Sequence, residues 1–124
     1  MKIIPLPLKG SDDRGFVAEY LHDRTGQQLL VFTHAGKSRG RHYHKGLSPT
    51  KDPEVLFLFS GICRLNWKHL EQNAPIASVD IKAPARVEIN PMEWHELVAI
   101  TDCIFVELNS IDEHAADTFY DATF

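Results

Sequence analysis

Apolar and polar side chains alternate strictly over residues 63–68, and this pattern limits the possible folds more than any other feature of the chain. The odd-numbered residues are apolar and the even-numbered residues are polar. A period of two places one face of a β-strand against a core and the other face in solvent. Residues 79–82 and 86–89 repeat the alternation, and no segment keeps a helical period over ten residues. The sequence therefore predicts an all-β fold.

Further strands are indicated by short apolar segments between turn residues. The runs at 28–33, 55–59 and 103–108 are nearly continuous in apolar residues, which predicts strands covered on both faces. Residues 16–21 form an earlier strand, and residues 112–120 are expected to contain one helical turn. Eight or nine short strands in a chain of this length predict a sandwich or barrel, and the jelly roll is one such solution.

Length and composition exclude several classes of protein. The chain has 124 residues, so we predict a single domain over residues 1–124. Its formal net charge is −4 and it has no basic stripe, so a nucleic-acid partner is not expected. No apolar run approaches the about 20 residues of a membrane helix, and the N-terminal segment is unlike a signal peptide. We expect a cytoplasmic protein without a membrane partner, in which Cys63 and Cys103 are reduced and buried.

A pair of histidines, His42 and His44, provides the first indication of chemistry. On a β-strand this spacing places both imidazoles on the same face. Two neutral ring nitrogens then converge on one point, as a divalent metal requires. The pair taken alone would sooner indicate a solvated strand edge than a metal site. The same alternation predicts that Arg39, Arg41 and Tyr43 face away from such a site.

The surroundings of this pair resemble the cupin superfamily. Its first motif has a glycine, two histidines, a glutamate and a second glycine, matched by Gly36, His42, His44, Glu54 and Gly61. Pro91 and His95 match its second motif loosely. Two departures stand out. Residues 45–53 put nine residues between His44 and Glu54, where the usual motif has three or four, and Met92 replaces the glycine of the second motif.

The cupin resemblance implies both a fold and a cofactor. The fold would be an all-β double-stranded β-helix, that is, a jelly-roll cupin barrel. The metal ligands would be His42, His44, Glu54 and His95, and such a donor set suits one divalent transition metal. Zinc is the first expectation, with iron, manganese or nickel as alternatives. Small cupins commonly pair, so a homodimer is also expected.

A narrower resemblance concerns enzymes that act on sugar nucleotides. The segments 13–19 and 38–43 are similar to segments of the dTDP-4-dehydrorhamnose 3,5-epimerases. The cupin domain of capsular-polysaccharide epimerase/reductases has a related histidine segment with bound metal, and residues 117–120 resemble its ending. The resemblance implies an epimerase or isomerase acting on a nucleotide-linked keto-sugar in cell-surface polysaccharide biosynthesis. It also suggests Arg14 as a nucleotide contact, although a capped turn at 12–15 explains Arg14 equally well.

The resemblance implies that His42 is the catalytic base. A histidine that binds metal through one nitrogen cannot easily serve as that base, so Glu107, Glu93 and a metal-bound hydroxide are the alternatives. Glu107 interrupts an apolar strand, where a lone carboxylate is costly unless it is paired or functional. We assign Trp94, beside His95, to the wall of a substrate pocket.

Two other functions remain open from the sequence. A three-histidine, one-glutamate site could serve a mononuclear metal-dependent oxygenase, because it leaves coordination positions for oxygen and substrate. A small cupin with an altered second motif also suits a non-catalytic module that binds metal or sugar. The other four histidines lack any partner pattern and are expected at the surface: His22, His34, His69 and His114.

Overall fold

The computed structural model describes residues 1–123, which form eleven β-strands and one short α-helix. The strands are β1 (Lys2–Pro5), β2 (Leu8–Asp12), β3 (Gly15–Ala18), β4 (Leu29–Thr33), β5 (Ser38–His42), β6 (Glu54–Ser60), β7 (Ile62–His69), β8 (Ala77–Lys82), β9 (Ala85–Ile89), β10 (Glu93–Ala99) and β11 (Cys103–Glu107). The helix α1 spans Ile111–Ala116 and provides the helical turn expected near the C-terminus. Across the described part of the chain, no helix is long and apolar enough to cross a membrane.

The strands form two antiparallel sheets and a separate hairpin. The five-stranded sheet has the order β1-β9-β6-β11-β4, and the four-stranded sheet has the order β5-β10-β7-β8. Strands β2 and β3 form a separate two-stranded sheet. The all-β jelly-roll prediction is confirmed, although the two sheets do not close into one continuous barrel. The sequence patterns missed β1 and β2, and every residue of β2 is exposed, so it carries no hydrophobic alternation.

The hydrophobic core lies between the two sheets, and both contribute side chains. Its buried members are Leu56, Leu58, Cys63, Leu65, Ile81, Ala85, Val87, Ile89, Leu97, Ala99, Cys103 and Phe105. The odd-numbered apolar residues of the 63–68 alternation, at the start of β7, therefore point inward or pack against this core as predicted. Both cysteines are buried and unpaired by disulfide, also as predicted.

The two apolar runs at 28–33 and 55–59 have different environments. Strand β6 is central, and Val55 and Phe57 on its outer face form a second buried cluster, so coverage of both faces is confirmed there. Strand β4 is an edge strand, and the prediction is wrong for its outer face. Leu30 is 77% exposed and Phe32 is 45% exposed, because no described element packs over them.

Local backbone conformations place the site strands in register. His42 and His95 are cross-strand partners of β5 and β10, and the register shifts immediately after His95. Gly40 sits at this irregularity with φ 93°, where a Cβ would lie 2.8 Å from the carbonyl oxygen of His95. Met92 has φ 67°, in the left-handed region that favours glycine. Met92 thus adopts the left-handed backbone conformation that the glycine of the second motif would adopt in this turn before His95.

Candidate active site

Four predicted ligands converge between the two sheets. His42 ends β5, His95 lies on β10, His44 follows β5 by two residues and Glu54 begins β6. The ring centroids of His42 and His44 are 4.9 Å apart, those of His42 and His95 are 4.8 Å apart, and those of His44 and His95 are 5.1 Å apart. All four side chains are buried. The structure therefore brings together the residues that two distant sequence motifs had indicated.

Backbone carbonyls set the tautomers of two of these histidines. Nδ1 of His44 lies 2.6 Å from the carbonyl oxygen of Asp117, and Nδ1 of His95 lies 2.9 Å from that of Glu93. A carbonyl oxygen can only accept, so each Nδ1 carries the proton and donates it. In the neutral rings each Nε2 then keeps a lone pair, and both point toward the carboxylate of Glu54. This arrangement is typical of metal-binding histidines.

The Nε2 atom of His44 is the clearest indication that a cation belongs here. It is buried and, among residues 1–123, has no partner with hydrogen-bond geometry, although it lies 2.9 Å from Oε2 of Glu54. Nε2 of His95 lies 3.8 Å from the other oxygen of that carboxylate. Ligand atoms of His42, His44 and His95 all lie within 4.8 Å of one another. The donor set fits a divalent transition metal.

Burial keeps the site in the protonation state that a metal needs. Burial, together with the neighbouring His95 and His44, lowers the pKa of His42 to about 2. Burial also lowers the pKa of His95 to about 4. Burial alone would raise the pKa of Glu54, but the imidazole of His44 and the ammonium of Lys51 hold it well below its usual value. The imidazoles of His42 and His95 are thus neutral and the carboxylate of Glu54 is charged at neutral pH.

Two residues of this site were not predicted. Lys51, from the long 45–53 segment, is fully buried and contacts Oε2 of Glu54. His114 of α1 had been assigned to the surface, and this assignment is wrong. Its ring is only partly exposed and lies 5.2 Å from that of His42. No spacing rule links the C-terminal helix to the histidine motif, so only the fold could show this contact.

An open cavity of about 420 Å³ leads to the histidines. Its polar lining consists of Ser38, Arg39, His42, Glu54, His95, Glu107, His114 and Tyr120. The expectation that Arg39 faces away is wrong, because positive φ angles at Gly40 and Arg41 interrupt the strand alternation. Arg41 does face away, with its side chain 61% exposed and its Nε 3.8 Å from Oε2 of Glu96. Tyr120 adds a phenol whose ring lies 6.1 Å from that of His42.

Glu107 lies at the end of β11 and lines this cavity, as its position within an apolar strand suggested. Burial raises its pKa to about 7, and repulsion from the nearby Glu54 carboxylate acts in the same direction. A carboxyl with this pKa exchanges its proton readily near neutral pH, which is the property of a general acid or base.

The remaining predicted residues lie outside the lining of this cavity, as far as residues 1–123 show. Arg14 is exposed at the β2–β3 turn, where its backbone N–H donates to Asp12 at 2.9 Å, so the capped turn is confirmed. Trp94 is buried on β10 next to His95. Glu93 accepts from the amino group of Met1 at 2.5 Å. Nucleotide contact by Arg14, substrate contact by Trp94 and base catalysis by Glu93 stay predictions.

Comparison with known proteins identifies the fold and the family. The sequence matches the family described as the polysaccharide biosynthesis C-terminal domain over residues 10–119. Among curated proteins, by contrast, the sequence has no significant match.

Three solved structures illustrate the structural similarity. A variant of the 3,4-ketoisomerase QdtA from Thermoanaerobacterium thermosaccharolyticum, in complex with TDP-4-keto-6-deoxyglucose, aligns with a TM-score of 0.71 and 18% identity, over 99% of this chain and 88% of QdtA. The dTDP-4-dehydrorhamnose 3,5-epimerase of Bacillus anthracis, with TDP and PPi bound, aligns with a TM-score of 0.62 and 18% identity, over 90% of this chain and 74% of the epimerase.

The third structure is the capsular polysaccharide assembling protein CapF from Staphylococcus aureus, with a TM-score of 0.60 and 21% identity. The alignment covers 94% of this chain but only 34% of CapF, so this chain spans about a third of that protein. All three align with the two-sheet architecture described above, and the predicted cupin fold is confirmed. The family match covers most of the sequence, and the chain therefore belongs to the polysaccharide biosynthesis C-terminal domain family.

Proposed function

We propose that the chain is a sugar-nucleotide isomerase or epimerase of polysaccharide biosynthesis, which moves protons next to a sugar ketone in the histidine cavity. The observation that carries this proposal is the position of Glu107, which shares one open cavity with His42 and His95. The family match and the TDP-sugar complex of QdtA support a nucleotide-linked keto-sugar as the substrate.

Arg39 gives the cavity a fixed positive charge. Its guanidinium donates to Oγ1 of Thr33 and to the carbonyl oxygen of Phe32, both at 2.8 Å. A guanidinium held in this way attracts an anionic group without first losing rotamer freedom. A diphosphate is such a group, so Arg39 supports a nucleotide sugar over a neutral sugar as the ligand.

Glu107 is the proposed base, in place of His42. Its carboxylate takes the proton from the carbon next to the ketone, and the electron pair of that C–H bond moves onto the ketone oxygen. For epimerisation, the protonated Glu107 returns the proton to the same carbon and the ketone forms again. For a ketone shift, the hydroxyl group on that carbon gives its proton to the enolate oxygen and becomes the new ketone, while Glu107 protonates the former ketone carbon. The phenol of Tyr120 lines the same cavity, and it would donate the proton when the carbon is reprotonated on the opposite face of the sugar ring.

A divalent metal fits this chemistry. His42, His44 and His95 would hold it, with Glu54 beside them, and when bound it would polarise the ketone oxygen and lower the energy of the enediolate. Since each ligating histidine lends its available lone pair to the metal, proton transfer stays with Glu107. This division of roles leaves His42 with a single function.

Hydrogen–deuterium exchange tests the proposal directly. The protein is incubated in D₂O with TDP-4-keto-6-deoxyglucose, and deuterium next to the ketone is measured by NMR. We expect exchange with the wild-type protein and a loss of at least about 100-fold in Glu107→Gln. Glu71→Gln, at an exposed turn outside the cavity, is the matched control and should exchange like wild type.

The alternatives predict different results. Binding of the TDP-sugar without any exchange would refute catalysis and favour the non-catalytic binding module. Full exchange activity in Glu107→Gln would exclude Glu107 as the base while leaving the isomerase function intact.

A further inference from the structure

Lys51 is a fully buried cation whose hydrogen-bonding groups are all engaged. Its Nζ contacts Oε2 of Glu54, Oδ1 of Asn109 at 3.2 Å and Nδ1 of His114 at 2.9 Å. An ammonium group has three N–H donors, and here each has one acceptor. A lysine is almost never fully buried unless it is paired in this way. Lys51 therefore belongs to the site as a built-in positive charge.

The segment that delivers Lys51 is the one that departs from the cupin motif. Residues 45–53 are tied to the C-terminal region by several hydrogen bonds. The backbone N–H groups of Lys45 and Ser48 donate to the two oxygens of Asp117, at 2.8 and 3.1 Å. The hydroxyl of Thr50 donates to Glu113 at 2.9 Å. These hydrogen bonds fix the path of residues 45–53, and this path brings the ammonium group of Lys51 into contact with Glu54.

We propose that Lys51 is a resident counter-ion that keeps Glu54 out of the metal's coordination shell, leaving a site of three histidines. This inference rests on the metal site of the proposed function. The carboxylate oxygen nearest His44, Oε2 of Glu54, is the one that Lys51 occupies. A divalent ion bound to that oxygen would lie next to the ammonium in a poorly screened interior, where like charges repel strongly.

The proposal has a measurable consequence for metal affinity. In the wild-type protein, Lys51 lowers the affinity for a divalent ion by holding the Glu54 carboxylate that would otherwise bind it. Lys51→Met removes the charge but keeps an unbranched apolar side chain. Glu54 is then free to act as a fourth ligand, and we expect Co²⁺ to bind at least about tenfold more tightly.

The experiment compares Co²⁺ affinity among four proteins, read from the visible absorption of bound Co²⁺ and by competition with a chelator. These are the wild type, Lys51→Met, the double variant Lys51→Met/Glu54→Gln, and the control Lys82→Met at an exposed position of β8. The double variant should return to wild-type affinity, because the gain in Lys51→Met comes from Glu54. The control should also bind like wild type.

Lys51→Met removes one partner of a buried ion pair, and such a change can prevent folding. The double variant leaves no unpaired charge, so it tests the proposal even where Lys51→Met does not fold. A double variant that binds Co²⁺ at least about tenfold more weakly than wild type would overturn the proposal, since Glu54 would then already be a ligand. Unchanged or weaker binding by a folded Lys51→Met would overturn it as well. If none of the proteins bound Co²⁺, both the metal site and this inference would fall, whereas equal binding by all would remove the inference alone.

Discussion

Replacement of Glu107 by glutamine should change the pH dependence of stability in a way that follows from its position. The carboxyl is partly buried at the end of β11, is repelled by the negative charge of Glu54 and has a pKa of about 7 instead of the usual 4.5. The folded state therefore holds this proton to a higher pH than the unfolded state does. Unfolding is then accompanied by proton release between these two pKa values, so the free energy of unfolding falls as the pH rises through this range.

The size of the effect follows from the two pKa values. At about 1.4 kcal/mol per pKa unit, the difference corresponds to a maximum of about 3 kcal/mol. This cost is absent below the unfolded pKa and complete above the folded pKa. Glutamine resembles the protonated carboxyl and does not ionise, so Glu107→Gln escapes the cost. The variant should be about as stable as wild type at about pH 4 and up to about 3 kcal/mol more stable at about pH 8.

Urea unfolding of both proteins at these two pH values, with a chelator present, measures the effect. The other titrating groups of the site occur in both proteins, so they largely cancel in the difference between them. A difference between the variant and wild type that is the same at both pH values would refute the burial argument for Glu107. An increase in stability at high pH together with loss of deuterium exchange would show that a destabilising carboxylate is kept for chemistry.

Four further outcomes are expected. Leu58→Ala, in the core, should lower the free energy of unfolding by about 2–5 kcal/mol. Leu30→Ala, at an exposed position, should lower it by less than about 0.5 kcal/mol. Equal losses for the two variants in urea unfolding would contradict the assigned core. Gly61→Ala should cost about 1–3 kcal/mol, because its φ is 97° and a Cβ would overlap the carbonyl oxygen of Asp102; a wild-type melting temperature would contradict this geometry. Burial raises the pKa of Cys63 to about 12, so a thiol reagent should label it only after unfolding, and rapid labelling of the native protein would disprove this. Light scattering should give the mass of two chains. The exposed β2–β3 hairpin is only marginally stable alone, so we expect it to pack against a second copy of the chain. The mass of a single chain would count against the homodimer.

The local patterns of the sequence were sufficient for most of the strands and for the cluster of His42, His44, Glu54 and His95. Alternation in β7 and β9 reflects a one-sided burial that the fold preserves, whereas in β8 Ile81 is buried but Val79 is 38% exposed. The spacing of His42 and His44 and the distance from Glu54 to Gly61 are properties of single strands and turns. They can be read locally, because neighbouring residues on a strand have fixed relative directions. Coverage of the outer face of β4 could not be read in this way, because it depends on which strand lies at the edge.

Long-range placement decided the rest of the site. Lys51 and His114 are 63 residues apart, and their contact depends on the path of the 45–53 segment and on the docking of α1. Arg39 lines the cavity because of the backbone at Gly40 and Arg41, which side-chain alternation does not reveal.

The sequence by itself determined an all-β chain with a cluster of histidines, because strand periodicity and histidine spacing are local. Only the tertiary structure decided that Glu107 has a pKa of about 7 and that a buried lysine occupies the carboxylate beside those histidines. Burial and electrostatic pairing are properties of the surroundings of a group, and those surroundings exist only after distant segments have packed together.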